Sequence, residues 1–483
     1  MEAKSTRVLL VVCVAFVLSL MSSSAASQTW NFTGSLNTPR TYHTATLLNN
    51  GMVLIAGGVN FGGATIAGAE LYNPATGTFT STGSLNTSRY FHTATLLNNG
   101  MVLIAGGQAS DGAAIYAGAE LYNPATGTFA LTGSMNTPRV VQTAALLNNG
   151  MVLIAGGNDS SGNHLTSAEL YDPTRGTFTL TGSMNTPHSA GTATLLNNGM
   201  LLIAGGSFCG TCIQVTAELY DPTSGTFTST GSMNSARDGN TATLLNNGMV
   251  LVGGGYNGSI YLASAELYDP ATGTFTLTGS LSTPVDAHTA TLLNDGMVLV
   301  AGGISFDGTL AGAELYDPST GMFTPTGAMN TARFLHTATL LNNGIVLVAG
   351  GNGGSAVLAS TELYQTCKPP GITASANPST LWPPNGKAVE VTVFGTITST
   401  GCGVNSSTAT FAVVDSYGLV QPSGPVTVEP DGTYSFTVSL AASRLGNDKG
   451  GRHYTITVSA QDNAGDIGSA SRVVTVPHDQ GNN

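Results

Sequence analysis

The pair CGTC, Cys209–Cys212, has the spacing of a thiol–disulfide exchange centre. Such a centre works when one thiol sits at a helix N-terminus, whose dipole lowers its pKa and favours the thiolate. Here the pair stands between Ser207-Phe208 and the strand-like IQVTAELY, with no helical pattern beside it. A disulfide stiffening one loop is the reading these residues support, with Cys367 and Cys402 as a second structural pair. Histidines 43, 92, 288 and 336 offer metal-ligating nitrogens, but they share one column of a repeat, filled elsewhere by Gln142, Gly191 and Asn240. A metal needs different residues converging on one point, and equivalent residues of successive units are held apart. Glu70, Glu120, Glu169, Glu218, Glu266, Glu314 and Glu362 recur in the same way and read as part of each unit's construction, facing an arginine where one is present. Asp462-Asn463-Ala464-Gly465-Asp466 has oxygens suited to calcium, yet a polar turn between two strands accounts for it. There is no HExxH, GxSxG or phosphate-binding loop. No catalytic residue, metal or cofactor is assigned.

The elements that position these residues come from a repeat. LLNNGMVLIAGG at Leu47–Gly58 returns with small changes, placing GG pairs at Gly57, Gly106, Gly156, Gly205, Gly254, Gly302 and Gly350. A constant period near 50 residues marks a repeat architecture. Within one unit, HTATLL meets MVLIAGG across Asn49-Asn50-Gly51, and Asn-Gly supplies the positive φ of a tight hairpin. AGAELY then meets GTFTST across Asn73-Pro74-Ala75-Thr76. Each unit is thus a four-stranded antiparallel sheet that must stack on its neighbours around an axis. Phe79, Phe129, Phe178, Phe227, Phe275 and Phe323 mark the outer strand of six units, and the seventh ends at Glu362–Cys367 without one. Trp30 stands four residues before Gly34, as Phe79 stands before Gly83, so the N-terminal TWNFTG is expected to close the ring. That splice hides an edge open to strand addition.

These residues resemble the kelch family. PRTYHTATLLNNGMVLIAGG…AELYNPATGTF carries that family's elements in order, and the match runs over residues 28–366. The resemblance implies a seven-bladed β-propeller but no function, because propellers host enzymes, receptors and scaffolds alike. After Cys367-Lys368-Pro369-Pro370, period-2 segments such as VEVTVFGTITS and HYTITVSA argue a β-sandwich over 367–483. LWPPNGK and GRHYTITVSAQDNAGD look like the Ig-like modules of bacterial secreted and surface proteins. The fold class expected is therefore all-β, a seven-bladed kelch propeller followed by an Ig-like β-sandwich.

Residues 1–27 read as a secretory signal, with Lys4 and Arg7 before an apolar Val8–Met21 and small residues at Ala25, Ala26 and Ser27. That apolar run falls short of the roughly 20 residues a membrane helix needs. The mature protein is expected to be secreted or at the cell surface, monomeric and not membrane-inserted. Charged residues make up 8% of the chain, and no lysine lies between Gln28 and Thr366. Nucleic acid is a poor partner for such a surface, since Lys and Arg supply most of that affinity.

Positions that vary between units report what the scaffold does not dictate. One variable zone is the pair between the Arg and His columns, and the other is the loop after each GG. Both are expected on one face, with Tyr42, Tyr90, Phe91 and Phe334 on one part and Asp238 and Asp286 opposite. Aromatics on rigidly held loops are a binding signature. The reading is a non-catalytic propeller binding a protein or glycan there. The alternative is a galactose-oxidase-like copper oxidase or another carbohydrate-active propeller enzyme. Galactose oxidase builds its copper site from tyrosines and histidines on particular loops, and here the loops holding Tyr116, Tyr256 and Tyr261 lack paired histidines.

Overall fold

The computed structural model describes residues 28–110, 114–209, 212–366, 369–399, 402–463 and 465–478. The export signal assigned to 1–27, and Cys367, lie outside the described residues. Backbone contacts separate Gln28–Thr366 from the chain that follows it.

Gln28–Thr366 forms seven four-stranded antiparallel blades. Blade one comprises Thr44–Leu47, Val53–Ala56, Gly68–Asn73 and Thr78–Ser84, paired in that order. Every residue of Val53–Ala56 is buried. Alternation along the strand explains why. Val53 and Ile55 pack into a core shared with blade seven, while Leu54 and Ala56 pack into one shared with blade two. A blade thus has two dry faces and no solvent face, so its second strand reads as a continuous apolar run.

The innermost strands touch in cyclic order from Thr44–Leu47 through Thr93–Leu96, Thr143–Leu146, Thr192–Leu195, Thr241–Leu244, Thr289–Leu292 and Thr337–Leu340, and back to the first. Gln28–Phe32 pairs antiparallel with Thr361–Thr366 and completes blade seven, with Trp30 opposite Tyr364. Their rings lie 5.0 Å apart, against 4.9 Å for Tyr72 and Phe79 in blade one. Trp30 is buried in the core between blades six and seven.

The GG pairs are seams. Gly57 and Gly58 have φ of 65° and 94°. A Cβ on Gly57 would stand 2.7 Å from the carbonyl oxygen of Arg89 in blade two, and one on Gly58 would stand 2.6 Å from that of Thr41. Only glycine meets both demands, the positive φ and the close backbone approach. The Gly58 amide then donates to the Arg89 carbonyl at 2.9 Å.

The second unit is a β-sandwich of two four-stranded sheets. One contains Gly371–Ile372, Ser375–Asn377, Ala388–Thr398 and Thr433–Ala441, and the other Val404–Asp415, Ser423–Pro425, Arg452–Asp462 and Ile467–Val476. Alternate residues such as Val391, Val393, Ile456 and Val458 fill the core between them. Buried Arg452 bonds Asp415 at 2.6 Å and lies over the rings of Tyr417 and Tyr454. Cys402 is disulfide-bonded.

Candidate ligand-binding face

The two variable zones are joined by backbone bridges. Thr41 pairs with Val59, Tyr90 with Gln108, Asp238 with Tyr256, Asp286 with Ile304 and Phe334 with Asn352. Each blade therefore presents its Arg-to-His pair and its post-GG loop on the same face. The residue after each bridged one is left-handed in every blade: Tyr42, Phe91, Val141, Ala190, Ala287 and Leu335 have φ between 52° and 58°, and Gly239 has 63°. A non-glycine residue there costs about 1–2 kcal/mol, so six such residues persist only because the surroundings over-determine them. Part of that support runs from blade to blade. The Val141 amide donates to the Phe91 carbonyl at 3.4 Å, Ala190 to Val141 at 3.0 Å, and Leu335 to Ala287 at 3.1 Å.

This collar holds three of the four candidate aromatics together. The Tyr42 ring lies 4.3 Å from Phe91 and 5.9 Å from Tyr90, and Tyr90 lies 4.9 Å from Phe91. All three are half-buried rather than fully exposed, as are Phe334, Asp238 and Asp286. Phe334 makes no ring contact with them among the described residues.

One of the two acidic residues, Asp286, acts electrostatically on the aromatic Tyr42. Burial raises the Tyr42 phenol, and the charges of Tyr90 and Asp286 raise it further. Burial pushes Asp286 up to about 6; a bond from the Ala287 amide opposes this, and the neighbouring charge of Asp238 adds to it. Asp286 Oδ1 is buried with no hydrogen-bond partner among the described residues. Burial also raises Asp238, against a 2.9 Å bond from the Gly239 amide and the charge of His164. The collar thus brings a ring cluster, an unsatisfied carboxylate oxygen and a second carboxylate to one mouth.

Four exposed apolar side chains on this face were not among the candidates. Phe61, Phe208, Ile260 and Phe306 are exposed at the tips of post-GG loops. Phe306 packs 4.7 Å from Tyr261, which lies 5.4 Å from Tyr256. The signal was present, since VNFGG, SFCG, YNGSIY and ISFDG each carry an apolar residue within the variable loop.

The residues with catalytic spacing have structural partners. Cys209 and Cys212 form a disulfide within the post-GG loop of blade four. Each histidine of the column reaches a threonine of the preceding blade: His92 Nε2 to Thr44 at 3.1 Å, His288 to Thr241 at 3.0 Å, His336 to Thr289 at 3.1 Å, and His43 to Thr337 at 3.1 Å across the closure. Burial, with the charge of a nearby arginine, presses His92 and His336 down to about 3 and His288 to about 4. They are neutral seam residues at any ordinary pH. Among the described residues no helix is long and apolar enough to cross a membrane.

No protein-family model matches the sequence, and no curated protein matches it. Solved structures do match. A fungal alcohol oxidase of the AA5 family, determined in complex with copper, superposes with a TM-score of 0.60 at 18% identity, covering 92% of this chain and 99% of that one. The structure of YjhT gives a TM-score of 0.49 at 14% identity, covering 61% of this chain and 99% of that one. At such identities the likeness concerns the fold, which is that of a kelch-like β-propeller followed by a β-sandwich. A copper site needs nitrogen and oxygen donors on one centre. Among the described residues no group of three or more His, Cys, Asp or Glu side chains could hold a metal. The column histidines stand one to a seam and do not converge on one centre.

Proposed function

We propose that this is an exported, non-catalytic binding protein whose propeller captures a glycan or protein at the collar mouth. The observation that carries this reading is the triad of Tyr42, Tyr90 and Phe91, held on left-handed backbone within electrostatic range of Asp286. Aromatic faces at fixed geometry offer large apolar area at small entropic cost, which suits the C–H face of a sugar ring or an apolar side chain. The carboxylate oxygens of Asp286 and Asp238 beside them accept hydrogen bonds from hydroxyl or amide donors. Exposed Phe61, Phe208 and Phe306 extend the apolar surface to the rim. The β-sandwich, read as an Ig-like module, spaces or anchors the propeller, and the disulfides suit an oxidising compartment.

A glycan array followed by titration calorimetry with the best ligand tests the proposal. Binding should weaken at least tenfold in Tyr42→Ala and Phe91→Ala. Oxidation of primary alcohols by protein reconstituted with copper, with peroxide released in step, would overturn it in favour of an oxidase.

A further inference from the structure

The seven blades can be compared with one another, and one lacks a group the others possess. In five blades a buried arginine occupies the same place. Arg40 Nη1 donates to the carbonyls of Gly57 and Gly68 at 3.0 and 2.8 Å, and its Nη2 reaches Glu70 at 2.6 Å. Arg89, Arg139, Arg237 and Arg333 repeat this set with Glu120, Glu169, Glu266 and Glu362. Blade four substitutes His188, which keeps one of the two carbonyl contacts and faces the carboxylate. Its Nδ1 lies 2.6 Å from the Gly205 carbonyl and its Nε2 lies 3.6 Å from Glu218. Burial alone would raise the Glu218 carboxyl, but the nearby His188 ring and hydrogen bonds from Asn185 and Thr186 outweigh it and hold the group at about 2.

Blade six has Val285 in that column. The carboxylate remains. Glu314 is 9% exposed and, among the described residues, accepts only from Ser282, whose amide lies 3.0 and 3.1 Å from its two oxygens and whose hydroxyl lies 2.8 Å from one. Among the described residues no cation pairs with it. The Gly302 carbonyl, equivalent to that of Gly57, has no donor among the described residues, and the Gly312 carbonyl accepts only the Gly302 amide at 3.0 Å. Where the arginine head would lie there is a cavity of about 160 Å³, lined by Val285, Gly302, Gly312, Glu314, Ser282 and Pro325. A single water needs only about 10–15 Å³, so this space admits a larger guest. Ser282 and Pro325 are exposed, which gives the cavity a route to solvent.

We propose that this cavity is a binding site for a guanidinium group, either the free ion or an arginine side chain of another chain. The acceptor set is that of five guanidinium sites in the same protein: one buried carboxylate and two backbone carbonyls. Guanidinium suits it better than ammonium because its planar fork can donate to a carboxylate and carbonyls at once and is more weakly hydrated. The site lies in the body of blade six and does not depend on the collar mouth binding anything.

The test uses the full mature protein at fixed ionic strength. Thermal melts and calorimetry are run with guanidinium chloride in the low millimolar range, with the blocked tripeptide Gly-Arg-Gly, and with Gly-Lys-Gly as control. A saturable rise in melting temperature with guanidinium or the arginine peptide, and none with the lysine peptide, is the expected result. Response to the ion and the peptide together makes the site open to either source, and response to the ion alone restricts it to the free cation. Val285→Arg should fill the site from within, raise the melting temperature of the unliganded protein and abolish the response. Glu314→Gln should fold and weaken binding at least tenfold. If guanidinium shifts the wild type and Val285→Arg equally, or shifts neither, the proposal fails. An equal response to lysine and arginine peptides also overturns it.

Discussion

The Asp286 carboxylate lies directly against Gly239 of the preceding blade, in a place any Cβ at 239 would occupy. Gly239 is the one glycine among the seven left-handed collar positions. The close approach helps strip water from Asp286, with Asp238 and Tyr42 as the charged and titratable groups it faces.

A pH dependence follows. Asp286 titrates at about 6 when folded, above the ordinary 3.8. Its folded-state pKa is raised, so its stabilising contribution is complete below about pH 4 and is lost as pH rises through 6. A tenfold change in proton affinity is worth about 1.4 kcal/mol, so at neutral pH the ionised carboxylate is a liability of roughly 2–3 kcal/mol. Asp286→Asn should raise the unfolding free energy measured in urea at pH 7.5 by that order and leave it almost unchanged at pH 3.5. Equal gains at both pH values would show that the effect is not ionisation.

At the aromatic triad, Tyr90→Ala and Phe91→Ala should each cost about 2–4 kcal/mol of binding, as truncated anchors do at a hot spot. Unfolding free energy should fall by roughly 1 kcal/mol, the ordinary cost of a substitution. Phe334→Ala serves as the comparison, because its ring makes no ring contact with the three among the described residues. Calorimetry beside chemical denaturation separates the two effects. Loss of the fold in Tyr90→Ala would make these rings plugs of the mouth.

The arginine column should behave as buried charge does. Arg237→Leu leaves Glu266 unpaired, and both side chains are fully buried. The expected loss is about 3–5 kcal/mol. Arg175→Ala breaks the pair with Asp172, but the Arg175 side chain is 79% exposed. Its loss should fall below about 1 kcal/mol. Denaturant midpoints of the two variants give the comparison.

Ring closure gives the fourth expectation. Trp30→Ala should cost about 3–5 kcal/mol, the range for a large aromatic removed from a core. Deleting Gln28–Phe32 bares the Thr361–Thr366 edge and should bring concentration-dependent association as well as a lower melting temperature. Light scattering during the melt reads both. A deletion protein that stays monomeric and melts with the wild type would mean that the strand is dispensable.

How much of this was readable beforehand depends on the range of the interaction. The hairpin at Asn49-Asn50-Gly51, the apolar run Val53–Ala56 and the outer-strand aromatics are local signals, set by turn geometry and strand alternation. Counting those aromatics pointed to Trp30 because one missing copy in a periodic set shows without coordinates. The Arg and Glu columns were visible as columns. That Val285 leaves Glu314 beside a cavity was not, because space appears only once the neighbouring segments pack. The same holds for the candidate mouth. Tyr42 and Asp286 stand 244 positions apart in the chain, and their proximity depends on how seven blades close around an axis. The greater exposure of Phe61 and Phe306, compared with Tyr42 and Phe91, was likewise decided by loop conformation. The chain thus determined its repeats, turns and closing strand through short-range rules. Which side chains share a surface, and which carboxylates lose their water, was decided by tertiary packing, since burial and electrostatic neighbourhood are properties of the assembled ring.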